Sequence, residues 1–578
     1  MSQKSGSFAS LQLLAIVFVL SASGPALAMP PHPTLLEKFR IGELKTPGFI
    51  SNPDSLKARG INQAGAEPDL RSISLYPAPP VTGPTGTFKA LALLVDFSDK
   101  VKQVQASYFD TLIFGTTGST VRNYYGEVSY GSLTIVTVHL PSSTGWLRAP
   151  QPYSYYTNGQ YGLDGPYPNN AQKLVEDVVD AANAAVDFSQ YDNDGDTFVD
   201  ALFVIHAGPG AEFTGSPNDI WSHQWAIWPR LKDGVYINVY SMEPEYWLSP
   251  GDMTAGVYCH ELGHVFGLPD LYDTDYSSAG VGEWSIMSFG SWNGLLGGSP
   301  AHPDAWSRIR LGFASPTIVA TNTTGLSIPA VENQPHILYV WNSGSANNEY
   351  FLVENRQKIG YDAALPGSGL LIWHVDGSKF TNDNECLNLQ NCNCANHFQV
   401  ALEQADGQLH LEKNYYGDAG DPFPGSYNKR TFDATTAPNS GSYLNCTSSV
   451  AIRNISNSAA TMTADISVGI TDTLTSINLS APPNQSTVTS PPTFRWTPDG
   501  GANNAFAVEL SLSPTFSTYW STYKNFHQAI MTTSWTMTPS QWAQVPAGRS
   551  IYWRVRGMDL HQTPRSIVTS QVWSFYKP

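Results

Sequence analysis

The sequence predicts a multidomain chain: a mixed α/β (α+β) unit over residues 86–315, a β-rich domain packed on it over 316–468, and a linker with a C-terminal β-sandwich over 469–578. Three observations carry that reading. Short apolar runs and one long helical pattern alternate in the first unit, and helical signals fade beyond it. A Thr/Ser/Pro-rich stretch around 476–492 then precedes a unit with its own two-residue periodicity. At 578 residues the chain is long enough for three or four such units.

The elements follow in order. Lys4, the apolar run Leu11 to Leu20 and the small-residue site Ala26-Leu27-Ala28 read as a secretory signal over residues 1–28, cleaved near Ala28. The run is too short for a membrane anchor, so the expectation is a secreted, extracellular protein without membrane insertion. Residues 29–85 are Pro-rich and lack strong periodicity. Phe88 to Phe97 reads as a buried strand, and Leu133 to Leu140 alternates as a second. Ala171, Leu174, Val175, Val178, Val179, Ala182 and Ala185 share one helical face. Ala201 to Ala207 is a central strand ended by Gly208-Pro209-Gly210, and Val235 to Met242 an edge strand. Tyr350 to Glu354 and Gly369 to Val375 are strands of the β-rich region. In the last unit Phe506, Val508, Leu510 and Leu512 alternate, as do Ile551, Trp553 and Val555. The strand around Tyr552 to Val555 resembles that of a fibronectin type III module. Trp496, Trp520, Trp535, Trp542, Trp553 and Trp573 are expected in its core rather than on a sugar platform.

Composition narrows the function classes. Lys+Arg number 31 against 48 Asp+Glu, a net charge of −17, which disfavours nucleic acid and anionic membranes as partners. With 14% charged residues the chain is not a disordered polyelectrolyte. Five cysteines are too few for a disulfide scaffold. In an exported chain Cys386, Cys392, Cys394 and Cys446 are expected in disulfides rather than a zinc knuckle, leaving Cys259 as a buried small residue.

The chemistry concentrates in Val257 to Asp273, VYCHELGHVFGLPDLYD. His260 and His264 at i, i+4 present two imidazoles on one helical face, at a spacing that grips one zinc ion. Glu261 is placed to take a proton from zinc-activated water. Gly267 can end the helix with φ > 0, letting the chain turn back so that Asp270 brings an oxygen to the same metal. Seventeen residues on, Trp284-Ser285-Ile286-Met287-Ser288-Phe289-Gly290 places a Met in a tight turn, the second mark of the metzincins.

These segments resemble the immune inhibitor A family of secreted bacterial zinc metalloproteases, of metzincin type. HELGHVFGLPDLYD and GEWSIMSFGSWNG carry the resemblance, with VRNYYGEVSYGSLTI, YDNDGDTFVDALFVIHAGPGAE and EYFLVENRQKIGYDAALPGSGLLIWHVD in support. It spans roughly residues 86–468 and implies a metzincin-like catalytic domain over 86–315. It also implies His260, His264 and Asp270 as zinc ligands, Glu261 as catalytic base and Met287 as the Met-turn residue. The activity implied is zinc-dependent endopeptidase cleavage of protein or peptide substrates. Glu283, nineteen residues after His264, is the alternative third ligand, disfavoured because Gly280 and Gly282 oppose a helix there. Some metzincins place an oxyanion-holding Tyr two residues after the Met; this chain has Phe289.

Secondary sites are weaker. Asp192, Asp194, Asp196 and Asp200 fall in a calcium-loop register, although Thr197 stands where an EF-hand has Gly and Phe203 where it has Glu. A shorter structural calcium loop is expected, supported by the resemblance. His206 and His223 either line the cleft or are structural. Asp418 and Asp421 either hold a second calcium or shape a turn. An exported protease needs restraint, so residues 29–85 are expected to be a pro-segment, making the protein a zymogen. With no cysteine in it, a cysteine-to-zinc latch is excluded; Asp54 and Asp69 are candidates for the water position, and nothing in the sequence chooses between them. The rival reading is an adhesive protein with a structural metal, its sandwich binding a surface or substrate. Glu261 argues against it, because a structural site has no use for that carboxylate.

Overall fold

The computed structural model describes residues 28–52, 83–344, 347–387, 394–443, 446, 448–469, 474–500, 504–560 and 565–578. The signal run, Asp54, Asp69 and Cys392 lie outside the described residues.

The N-terminal segment carries helices α1 (Pro33–Arg40) and α2 (Gly48–Ser51). The aperiodic reading of residues 29–85 missed them. Pro33 opens α1 at the position where a missing N–H costs nothing, and Leu35, Leu36 and Phe39 make one buried face. That pattern is two turns long, too short to stand out among the prolines.

The first large unit runs β1 (Gly86–Lys89), β2 (Leu91–Asp96), α3 (Ala106–Phe114), α4 (Val121–Val128), β3 (Leu133–Val136), β4 (Trp146–Arg148), α5 (Ala171–Ala182), β5 (Leu202–Pro209), β6 (His223–Lys232), β7 (Val235–Tyr246) and α6 (Ala255–Val265). Its main sheet has the order β4-β2-β5-β7-β6. The first four strands are parallel and β6 runs antiparallel to β7. All six residues of β2 are buried, as an inner parallel strand covered on both faces requires. α5 is shorter than the expected pattern, ending at Ala182, and buries Leu174, Val175, Val178 and Val179.

Three strand expectations are corrected. The run from Phe88 to Phe97 is two strands, β1 pairing with β3 and β2 joining the main sheet. Regular pairing after Leu133 stops at Val136. Val235 to Met242 lies inside β7, an interior strand, and the edge belongs to β6. Pro229 disguised β6 in the sequence; the strand accommodates it at an irregularity between Ala226 and Arg230, which an edge strand tolerates.

Beyond residue 315 the chain is β-rich. Thr317–Val319, Leu338–Val340, Glu349–Arg356, Gly369–Asp376 and Val400–Leu402 form one five-stranded sheet. Thr323–Pro329, Ala451–Arg453 and Thr461–Ser467 form a three-stranded one. Val331, Ile337, Leu352, Leu371 and Trp373 join the core of the first unit, so the two pack as one body. Cys386 and Cys394 form a disulfide, Cys446 is also disulfide-bonded, and Cys259 is free and buried.

The C-terminal unit has two sheets around a core of its own, with Phe494, Trp496, Val508, Trp553, Val555 and Phe575 at its centre. Of the six tryptophans, Trp496, Trp542 and Trp553 are buried, and Trp520, Trp535 and Trp573 pack partly buried against them. Among the described residues no helix is long and apolar enough to cross a membrane.

Candidate active site

α6 forms where the sequence placed it and positions both imidazoles one turn apart, each fully buried. Gly267 ends it with φ of 89°, a conformation that costs other residues dearly. The chain turns back and Leu268 N donates to the Gly263 carbonyl at 3.0 Å. Asp270 then lies opposite the helix.

The three side chains converge. Asp270 Oδ1 is 3.1 Å from His260 Nε2 and 3.3 Å from His264 Nε2, and the two Nε2 atoms are 3.2 Å apart. His260 Nδ1 faces the Ile286 carbonyl at 2.8 Å and His264 Nδ1 the Leu268 carbonyl at 2.9 Å. Those contacts put the proton of each neutral ring on Nδ1 and leave the Nε2 lone pairs pointing inward. Burial holds His260 below the ordinary imidazole range, so the neutral form is favoured there. Three acceptors facing one another at this spacing repel unless a cation lies between them. A tetrahedral zinc with bonds of about 2.0–2.1 Å separates its ligands by about 3.3 Å, so the donor set and its spacing fit zinc.

Glu261, next to His260 on the same helix, is fully buried. Burial first, then the carboxylates of Glu243, Asp270 and Glu212, push its carboxyl well above the usual range, while the Met29 backbone amide acts the other way. Glu212 accepts from Ser222 N and Oγ, and burial raises it to about 7. These two further acids, on β7 and just after β5, were missed by the sequence reading. Their signal was weak: charged residues in otherwise apolar segments.

Met287 lies under the helix. It is buried, its carbonyl accepts from Leu271 N at 2.8 Å, and its neighbour Ile286 holds His260. Gly263 makes room for it, since a Cβ there would stand 2.6 Å from the Met287 sulfur. Arg356, buried with Asp362 at 2.7 Å, reaches the Trp284 carbonyl at 3.4 Å and ties this turn to the β-rich region. Glu283 occupies a single 3-10 turn between Gly282 and Trp284, outside the converging triad.

Residues 28–32 cross the centre. The Ala28 carbonyl accepts from Tyr272 Oη at 2.5 Å, and Met29 N donates to the Ser222 carbonyl at 3.1 Å. Trp221 Nε1 donates to the Met29 carbonyl at 2.8 Å, and Trp292 Nε1 to that of Pro30 at 2.9 Å. Behind them Phe49 packs edge-on against Trp221 at 4.9 Å.

The secondary candidates divide. Asp192, Asp194 and Asp200 come together, each offering an oxygen within 4.8 Å of the others, while Asp196 stays outside that group. Asp192 accepts the amides of Gly195, Asp196 and Thr197, and Thr197 takes φ of 75° to close the turn. Asp418 converges with Asp406 and His410, neither foreseen because they lie on a separate loop. Asp421 instead is buried, accepting from Trp284 Nε1 at 3.0 Å. His223 is structural, held by the Trp221 carbonyl and Tyr240 Oη. His206 is buried inside β5 rather than at its end, contacts the Ala207 carbonyl at 3.1 Å, and burial lowers it to about 3.

A helix bearing two imidazoles and a carboxylate, a returning aspartate and a methionine turn beneath them define a metallopeptidase domain. Residues 78–313 match the family model described as immune inhibitor A peptidase M6, catalytic domain. The chain is 33% identical over 231 residues to an Immune inhibitor A of Bacillus thuringiensis subsp. alesti, covering 35% of this chain and 33% of that protein. It is 30% identical over 309 residues to the Pre-pro-metalloprotease PrtV of Vibrio cholerae serotype O1 (strain M66-2), covering 44% and 33% respectively. The matched stretch is thus a third of the length of either relative. A solved beta-1,2-glucanase from Parabacteroides distasonis aligns at 10% identity and a TM-score of 0.14, over 46% of this chain and 38% of that one. That likeness is too slight to bear on the fold.

Proposed function

We propose that the protein is a secreted zinc endopeptidase that hydrolyses internal peptide bonds of protein substrates. The observation that carries the reading is the triangle of His260, His264 and Asp270 acceptors with the Glu261 carboxyl beside it. Bound there, zinc supplies a Lewis acid that polarises a peptide carbonyl and eases deprotonation of water. His260 and His264 present Nε2 to the ion because Nδ1 of each is committed to a carbonyl. Asp270 adds one negative charge, and burial of all three ligands excludes bulk water from the centre. Glu261 accepts the proton of the attacking water and returns it to the departing amine, near where Met29 N now lies. Met287 supports the ligands from below.

Residues 28–52 support a pro-segment. They cover the catalytic centre with backbone hydrogen bonds a substrate would need, so the chain in this state is latent. Asp192, Asp194 and Asp200, with Asp196 nearby, are proposed to hold a structural calcium ion, which would relieve the crowding of their charges. The C-terminal sandwich is proposed to bind a surface or substrate. Casein cleavage by the purified, matured protein tests the main reading. Activity lost on treatment with 1,10-phenanthroline and restored by added zinc is expected; cleavage indifferent to the chelator overturns it.

A further inference from the structure

Catalysis at this centre needs a donor for the oxygen of the scissile carbonyl as it gains charge. Phe289 cannot provide it, having no polar atom. The structure assigns that role to Tyr272, an inference that rests on the endopeptidase reading above.

The peptide bond between Ala28 and Met29 is a peptide bond held in the catalytic centre. Its carbonyl oxygen accepts from Tyr272 Oη at 2.5 Å, and its N–H points to the Ser222 carbonyl at 3.1 Å with the Glu261 carboxyl close by. The two ends of one amide thus meet the two groups that hydrolysis requires, a donor at oxygen and a proton carrier at nitrogen. The direction of the chain is fixed further on by Trp221 and Trp292, whose indole N–H groups take the next two carbonyls. The Ala28 carbonyl therefore reports where a substrate carbonyl sits, whether or not residue 28 remains in the mature enzyme.

Tyr272 is built to hold that position. It follows Asp270 by two residues, so the turn that delivers the carboxylate delivers the phenol to the same centre. Its ring is fully buried, stacked on Tyr276 at 5.7 Å and 12°, and edge-on to Phe289 at 6.2 Å. Phe289 thus packs the side of the ring whose hydroxyl does the bonding. A donor fixed before the reaction begins needs no reorganisation as charge develops, which is the source of oxyanion stabilisation.

Water adds its oxygen to the carbonyl carbon and loses a proton to Glu261. The C=O π pair moves onto the carbonyl oxygen, where the Tyr272 O–H hydrogen-bonds it without transferring its proton. The C–N bond then breaks, the oxygen pair reforms C=O, and Glu261 passes its proton to the nitrogen. A carboxylic acid and an amine result.

The test is Tyr272→Phe in the matured protein, assayed on a fluorogenic peptide, with zinc content and thermal unfolding measured alongside. A kcat loss of about 10²-fold with KM changed less than threefold is expected, the range for removing one oxyanion donor. A phosphinic pseudopeptide, whose anionic oxygen mimics the tetrahedral intermediate, should lose affinity by a similar factor in calorimetry, while the corresponding peptide product binds as before. Zinc content should match the wild type although the hydroxyl also meets Asp270, because both imidazoles and the carboxylate remain, and the retained ring keeps the unfolding temperature. An unchanged kcat, or a loss confined to KM, overturns the assignment, as does undiminished phosphinate binding. If the wild type itself fails to cleave any peptide, the endopeptidase reading fails; if both proteins cleave equally, only the role of Tyr272 does.

Discussion

Replacing Gly263 with alanine tests the packing beneath the metal ligands. In a helix interior that change ordinarily stabilises by about 1 kcal/mol. Here the new Cβ would lie 2.6 Å from Met287 Sδ and 3.4 Å from its Cε, with Tyr125 Oη at 3.7 Å. Met287 is fully buried, so it yields only by displacing its neighbours, and overpacking of this kind costs about 1–3 kcal/mol. The sum runs from no gain to a loss of about 2 kcal/mol. The turn that shifts also carries Ile286, whose carbonyl holds His260 Nδ1 at 2.8 Å, so zinc binding weakens with it. In a Met287→Ala background the clash disappears and Gly263→Ala recovers its ordinary gain. Urea unfolding of the four proteins in the cycle should give a coupling of about 1–3 kcal/mol, and a competitive zinc titration should show weaker binding for Gly263→Ala. If alanine stabilises equally in both backgrounds, Met287 does not sit under the ligand helix as described.

Three further outcomes are expected. Asp192→Asn with Asp194→Asn should abolish the rise in unfolding temperature that millimolar calcium gives the wild type; a rise that survives the double change removes calcium from that loop. His206 resists protonation in the fold until about pH 3 while the unfolded chain takes the proton near 6.5, so the unfolded state binds more protons between those values. Stability from this group is complete above pH 6.5 and falls as pH drops; His206→Phe should lose up to about 1.4 kcal/mol per pH unit of that slope in urea unfolding, and an identical slope would contradict the buried neutral ring. Phe49→Ala removes the ring set against Trp221 and Tyr161 at 4.9 and 5.6 Å, so the N-terminal segment should be cut faster by added trypsin and peptide cleavage should appear earlier. Unaltered maturation would mean that α2 does not secure the segment.

What was legible in the sequence was local. His260, Glu261, His264, Gly267 and Asp270 lie within eleven residues, and helix period and glycine conformation place them with no knowledge of the rest. Met287 was legible because a turn pattern surrounds it. The apolar runs at β2 and β5 announced buried strands. The groups that complete the centre come from elsewhere. Glu243 and Glu212 are brought to Glu261 by the packing of β7 and of the short turn after β5, which no spacing encodes. Trp221 and Trp292 act through indole N–H groups, which no local pattern marks. Tyr272 stood in plain view beside Asp270, but no local pattern sets its hydroxyl against the Ala28 carbonyl. β6 stayed hidden behind Pro229, and α1 behind its flanking prolines. In each case contacts distant in sequence, not local pattern, decide the outcome.

The most direct measurement compares matured wild type and Glu261→Gln in casein cleavage, with zinc content determined on both. The amide keeps the shape of the side chain and removes its ability to carry a proton, so both proteins should hold one zinc while kcat of the variant falls by about 10²–10⁴-fold. A variant that cuts as fast as the wild type, or a wild type that binds no zinc at His260, His264 and Asp270, would contradict the account.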